Sequence, residues 1–202
     1  MKVSKNSALV VIDMQNKYRD IVSKKEIKNM ISVVESFSNK DLPIYFTQWS
    51  RCKYKNHCTR KHKKESIHNK IAFINRKKRF IDLYKLEKTR KYKCPSEKCN
   101  IINELKSFSN NKNTCVSDKM DALSIKPLRS EMKKKKIKKV YIIGGWGSHC
   151  ILSTAYGCIN YHNLMPCVIQ DAVFDMKEYK QVIPLVIRSI IPGCKTKEIV
   201  KS

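Results

Sequence analysis

Val140-Tyr141-Ile142-Ile143-Gly144-Gly145-Trp146-Gly147-Ser148-His149-Cys150 is the stretch whose reading decides the fold of this chain. Its apolar run predicts a buried strand, its glycines a sharp turn, and Cys150 opens a helix that runs to Tyr161. A thiol so placed sits among backbone N–H groups that lack intrahelical partners and carry positive partial charge. Such a setting raises the thiolate fraction of a cysteine. The same N–H groups can hold a developing oxyanion, an effect of roughly 3–4 kcal/mol per donor. On spacing alone, a buried structural cysteine is an equally good reading.

Working outward, strands and helices alternate. Ala8–Ile12 is an apolar run that delivers Asp13 at its C-terminal end. Ile27, Met30, Ile31, Val33, Val34 and Phe37 recur at helical spacing over 25–38, and Leu42–Thr47 predicts a second strand. A short helix is expected over Ile101–Phe108, a strand over Thr114–Val116 and a helix over 125–136. A strand over Met165–Gln170 then ends at Asp171, and a helix over 177–190 is kinked at Pro184. This order predicts an α/β fold: a doubly wound, mostly parallel sheet with helices on both faces. Ligands in such sheets bind outside the carboxyl ends of the strands, where Asp13, the 117–119 segment and Cys150 all fall. Taken singly, Asp13 could equally cap the next helix, and Lys119 could be one more solvated lysine.

The 202 residues are 42% hydrophobic, which predicts a single domain over 1–202 with a real core. A basic insertion at about 51–98 interrupts it: residues 51–93 hold 17 Lys and Arg against three Asp and Glu, with a short helix near 80–87. No apolar run reaches the roughly 18 residues of a membrane span, and the run after Met1–Ser7 is too short for a signal peptide. A cytoplasmic protein with no membrane partner is expected. The nine cysteines are then reduced thiols, most of them small hydrophobes. The net charge of +26 admits a nucleic-acid partner, but lysine far outnumbers the bidentate arginine, and this favours plain solvation. Cys52, His57, Cys58 and His62 lie close together without a standard zinc spacing, and Cys94 and Cys99 are weaker still. No metal and no cofactor is expected.

The motifs are more specific together. Ala8-Leu9-Val10-Val11-Ile12-Asp13-Met14-Gln15, with Tyr18 three residues on, resembles the first strand of the isochorismatase-like cysteine hydrolases, a superfamily that includes nicotinamidases and N-carbamoyl amidohydrolases. Gly144–Cys150 followed by Thr154 resembles their cysteine turn, and Cys167–Val173 their next strand with its Asp-Ala pair. The resemblance covers 8–49 and 101–175. It implies a three-layer α/β/α fold and a triad of Asp13, Lys119 and Cys150. It implies a cis peptide at Gly145-Trp146, with the N–H groups of Trp146 and Cys150 as oxyanion hole. Gln15, Tyr18, Trp49 and Trp146 are the expected substrate-binding residues, a small-molecule amide the expected partner, and a homo-oligomer the expected assembly. The nicotinamidase metal motif after the second strand has no counterpart in Phe46–Arg51.

The reading is therefore a cysteine-dependent amidohydrolase acting on a small amide or carbamoyl compound through a thioester. The alternative is a catalytically reduced member of the family that binds nucleic acid or phosphate-rich partners through its basic segment. Some members, the isochorismatases themselves, work without the cysteine.

Overall fold

In the computed structural model, residues 3–49, 97–117, 119–189 and 191–201 are described. The expected basic insertion, its short helix, the Cys52–His62 cluster and Cys94 lie outside them, except for the insertion's last residues, 97 and 98. Six strands form one sheet: β1 (Ser7–Ile12), β2 (Ile44–Trp49), β3 (Thr114–Ser117), β4 (Lys139–Gly144), β5 (Met165–Val173) and β6 (Gly193–Cys194). Their order is β3-β2-β1-β4-β5-β6, and every pair is parallel. The order reverses between β1 and β4, and at such a switch point the loops after the two strands diverge and leave a crevice. Asp13 follows one of these strands and Cys150 the other.

Strand periodicity builds the two faces. Leu9 and Val11 of β1, Tyr141 and Ile143 of β4, and Cys167 and Ile169 of β5 point to one side. They pack against α1 (Lys24–Ser38), α2 (Asn103–Lys106) and α6 (Thr196–Val200). Ala8, Val10, Ile12, Ile142 and Val168 point to the other, against α3 (Lys126–Lys134) and α4 (Leu152–Tyr161). β1 is buried along its whole length, as expected of a central parallel strand covered on both faces. Each Leu or Ile so buried contributes roughly 1.5–3 kcal/mol. Helix α1 starts at a capping box: Ser23 Oγ accepts from Glu26 N–H at 3.2 Å, and Glu26 Oε2 accepts from Ser23 N–H at 2.8 Å.

Three expectations are corrected here. β5 runs past Asp171 to Val173, so Asp171 is a residue within the strand. Its carboxylate accepts from Thr196 N–H at 2.8 Å and Thr196 Oγ1 at 2.9 Å, tying β5 to the start of α6. The helix expected over 177–190 divides into a turn at Lys177–Tyr179 and α5 (Val182–Ser189). Pro184 thus falls in the first turn of α5, where a missing N–H costs no intrahelical bond and no kink is required. Cys99 is disulfide-bonded, against the expectation of reduced thiols throughout, whereas Cys115, Cys150, Cys158, Cys167 and Cys194 are free. No helix among the described residues is long and apolar enough to cross a membrane.

Candidate active site

Asp13 is the first residue beyond β1, and its backbone turns sharply there with φ of 52°. Aspartate tolerates this left-handed conformation better than most residues. Its N–H donates to Thr47 O at 3.1 Å, on the neighbouring β2, and Thr47 Oγ1 donates to Asp13 Oδ1 at 2.9 Å. The carboxyl is only 3% exposed. Burial therefore pushes it up from 3.8 to about 6, against the opposing pull of the Thr47 hydroxyl, the Lys17 charge and a hydrogen bond with the Cys150 thiol. Asp13 and Cys150 are thus brought together from two different strand ends.

The turn that carries Cys150 is anchored at nearly every peptide. Gly144 has φ of 105°, a conformation open to glycine, and Gly145 N–H donates to Ile12 O at 2.9 Å. Gly145 lies flat against the Phe174 ring, where a Cβ would collide with it. The Gly145-Trp146 peptide is cis, at the position the resemblance implied. Beyond it, Gly147 N–H donates to Phe174 O at 3.0 Å and Ser148 N–H to Asp175 Oδ2 at 2.6 Å. His149 and Ile151 N–H both reach Trp146 O, at 3.1 and 3.0 Å. The Ile151 bond closes a turn wider than an α-helical one, so Cys150 sits in a wide turn at Gly147–Ile151 before the regular helix, not in that helix's first turn. Among the described residues the Trp146 N–H has no acceptor, so one donor beside the thiol is left for a ligand.

The other expected residues take different parts. Gln15 is buried and its amide serves the backbone: Oε1 accepts from Trp49 N–H at 2.9 Å, and Nε2 donates to Cys99 O at 2.7 Å. It clamps the ends of β1 and β2 rather than offering its amide to a substrate. Tyr18 and Trp146 meet edge to face at 5.1 Å, and both pack on Phe174 at 6.2 and 5.4 Å. Trp49 is half-buried and packs against the α3–α4 face of the core. Lys119 is exposed; its N–H donates to Ser117 Oγ at 2.9 Å. The described structure does not bring it to Asp13. His149 Nδ1 lies 2.8 Å from Ser148 Oγ, and its ring stands 6.1 Å from Tyr179.

Three residues at the site had no reading in sequence. Thr47 was only the end of a predicted strand. Lys17 lies inside the Asp13–Tyr18 motif, but one lysine among 43 basic residues gives no signal of its own. Asp175 is 2% exposed and accepts from the N–H groups of Ser148 and Met176, the second at 2.9 Å. Its place four residues past Asp171 marks it only once β5 is known to run to Val173.

A parallel sheet covered by helices on both faces, with a buried carboxyl and thiol at its switch point, defines a protein of the three-layer α/β/α class with a candidate nucleophile at its ligand-binding edge. The isochorismatase domain matches residues 7–185, and the chain belongs to that family. It is similar in structure to a cysteine hydrolase from Pseudomonas syringae pv. phaseolicola, at a TM-score of 0.70 and 10% identity over 100% of this chain and 94% of that one. The N-carbamoylsarcosine amidase of Thermoplasma acidophilum gives 0.62 and 16% over 94% and 96%; the nicotinamidase of Staphylococcus aureus gives 0.65 and 13% over 93% and 96%. At such identities the likeness speaks for the fold. No curated protein matches the sequence.

Proposed function

We propose that this protein is a cysteine-dependent amidohydrolase acting on a small amide or carbamoyl compound through a thioester intermediate. The observation that carries the reading is that the almost wholly buried Asp13 and Cys150 come together from the ends of β1 and β4, with the Trp146 N–H of the cysteine turn left without an acceptor among the described residues. A carboxyl raised to about 6 is poised to exchange a proton near neutral pH. Asp13 takes the thiol proton, and the Cys150 sulfur attacks the amide carbon. The tetrahedral oxygen draws on the Trp146 N–H. Collapse breaks the C–N bond, and Asp13 returns its proton to the departing nitrogen. Water then attacks the thioester with Asp13 as base, releasing the acid and restoring the thiol.

The test is a panel of small amides and ureido compounds followed by ammonia release, with the Cys150→Ala variant as control. The wild-type protein releases ammonia from at least one compound, and the variant loses this by about 10³-fold or more while keeping its circular dichroism. Equal turnover in both proteins, or none in the wild type across the panel, refutes the reading.

A further inference from the structure

Cys150 is carried by a turn that a helix does not adopt by itself. Ile151 N–H donates five residues back, to Trp146 O at 3.0 Å, and so wide a closure is rare in proteins outside single turns. An ordinary helical turn would give Trp146 O to the Cys150 N–H instead and would move the peptides of residues 146–148. Contacts from outside the turn must hold it open.

The residues that follow β5 supply them. Phe174 N–H donates to Gly144 O at 2.9 Å, and Phe174 O accepts from Gly147 N–H at 3.0 Å. The side chain of Asp175 continues the series: its Oδ2 accepts from Ser148 N–H at 2.6 Å. Its Oδ1 accepts from Met176 N–H at 2.9 Å, which fixes the carboxylate on its own loop. Asp175 is 2% exposed, and burying a carboxylate costs far more than burying an amide. The two bonds give the reason for one here. Both oxygens accept from N–H groups, whereas an asparagine amide has one acceptor and would turn its own N–H groups against one of the two donors. The charge does not serve to activate the thiol, because an anion bonded to the backbone two residues before Cys150 opposes formation of a thiolate. The carboxylate serves the geometry of the turn.

We infer that Asp175 is the positioning residue of the cysteine turn: by taking the Ser148 N–H it keeps the turn wide and the Trp146 N–H open for the oxygen of the tetrahedral intermediate. The inference rests on the proposed function and deepens it. Asp175 acts through the backbone of residues 146–148, not on the proton of the thiol.

The test separates two reactions of Cys150. Iodoacetamide is attacked at its methylene carbon: an S–C bond forms, iodide leaves, and no oxygen gains charge, so the thiolate alone governs the rate. Amide hydrolysis also needs a donor for the tetrahedral oxygen. Wild type, Asp175→Asn and Asp175→Ala are compared as full chains. Ammonia release is followed with the best substrate of the amide and ureido panel, Cys150 alkylation against pH by peptide mass spectrometry, and stability by the urea midpoint. In Asp175→Asn, which keeps one acceptor, kcat falls about tenfold; in Asp175→Ala it falls about 100-fold, and KM stays within about twofold in both. The alkylation midpoint rises in neither variant, and the plateau rate stays within about threefold of wild type. A kcat in Asp175→Ala within about threefold of wild type overturns the inference and leaves the proposed function standing. So does a loss of kcat matched by an equal loss of alkylation, or loss of the folded state in both variants, since these give Asp175 a part in ionisation or in stability alone. A wild type that hydrolyses no compound of the panel overturns both.

Discussion

Replacing Asp13 by Asn tests the electrostatics of the site through stability alone. The carboxyl titrates at about 6 in the folded protein and at about 3.8 when unfolded. Between these values the native state binds the extra proton, so stability falls as pH rises from about 4 to about 6, then levels off. At about 1.4 kcal/mol per pH unit, the ionised carboxylate costs about 3 kcal/mol at pH 7.5 and about 0.5 kcal/mol at pH 4. Asparagine has nearly the same shape, keeps an oxygen for Thr47 Oγ1 and cannot ionise. The stability of the variant relative to wild type therefore rises by about 2.5 kcal/mol between pH 4 and pH 7.5. Urea unfolding of both proteins at the two pH values measures this, because titrations common to both cancel in the difference. A change below about 0.5 kcal/mol, or one of opposite sign, refutes the claim that burial dominates the environment of Asp13.

Two further outcomes follow from contacts around the pair. Thr47→Val removes the hydroxyl that donates to Asp13 Oδ1 at 2.9 Å and holds the carboxyl down, so the acid limb of the pH–rate profile moves to higher pH; an unmoved limb separates Thr47 from the site. Gly145→Ala drives a methyl into the buried Phe174 ring and lowers the unfolding free energy by about 2–3 kcal/mol, read from the urea midpoint, whereas an unchanged midpoint would show that the ring yields.

The fold was legible because its signals are local. β1 reads as a run of apolar residues ending in a carboxylate, and α1 as a stripe of apolar residues at helical spacing. Both came within two residues of their observed limits, since burial on two faces and on one helix face each leave a pattern in consecutive residues. The end of β5 was misread at Asp171. A charged residue normally ends a buried strand, but here the carboxylate is satisfied by Thr196, 25 residues away. Pro184 was read as a kink because proline's effect depends on where the helix begins, and that start is set by packing.

Asp13 and Cys150, which the structure brings together, could be singled out from sequence because each belongs to a short motif at a strand's end. Among so many lysines, place relative to a strand says little; that Lys17 reaches the carbonyl of Trp49 follows only from β2 lying against β1. Gln15 likewise looked like a ligand-facing amide until the chain folded back and both its ends met backbone. The sequence by itself determined the alternation of strands and helices, because periodicity and capping act over a few residues. Only the tertiary structure decided which side chains meet at the switch point, because such partners are chosen by distance in space and by burial, and neither is a property of neighbouring residues.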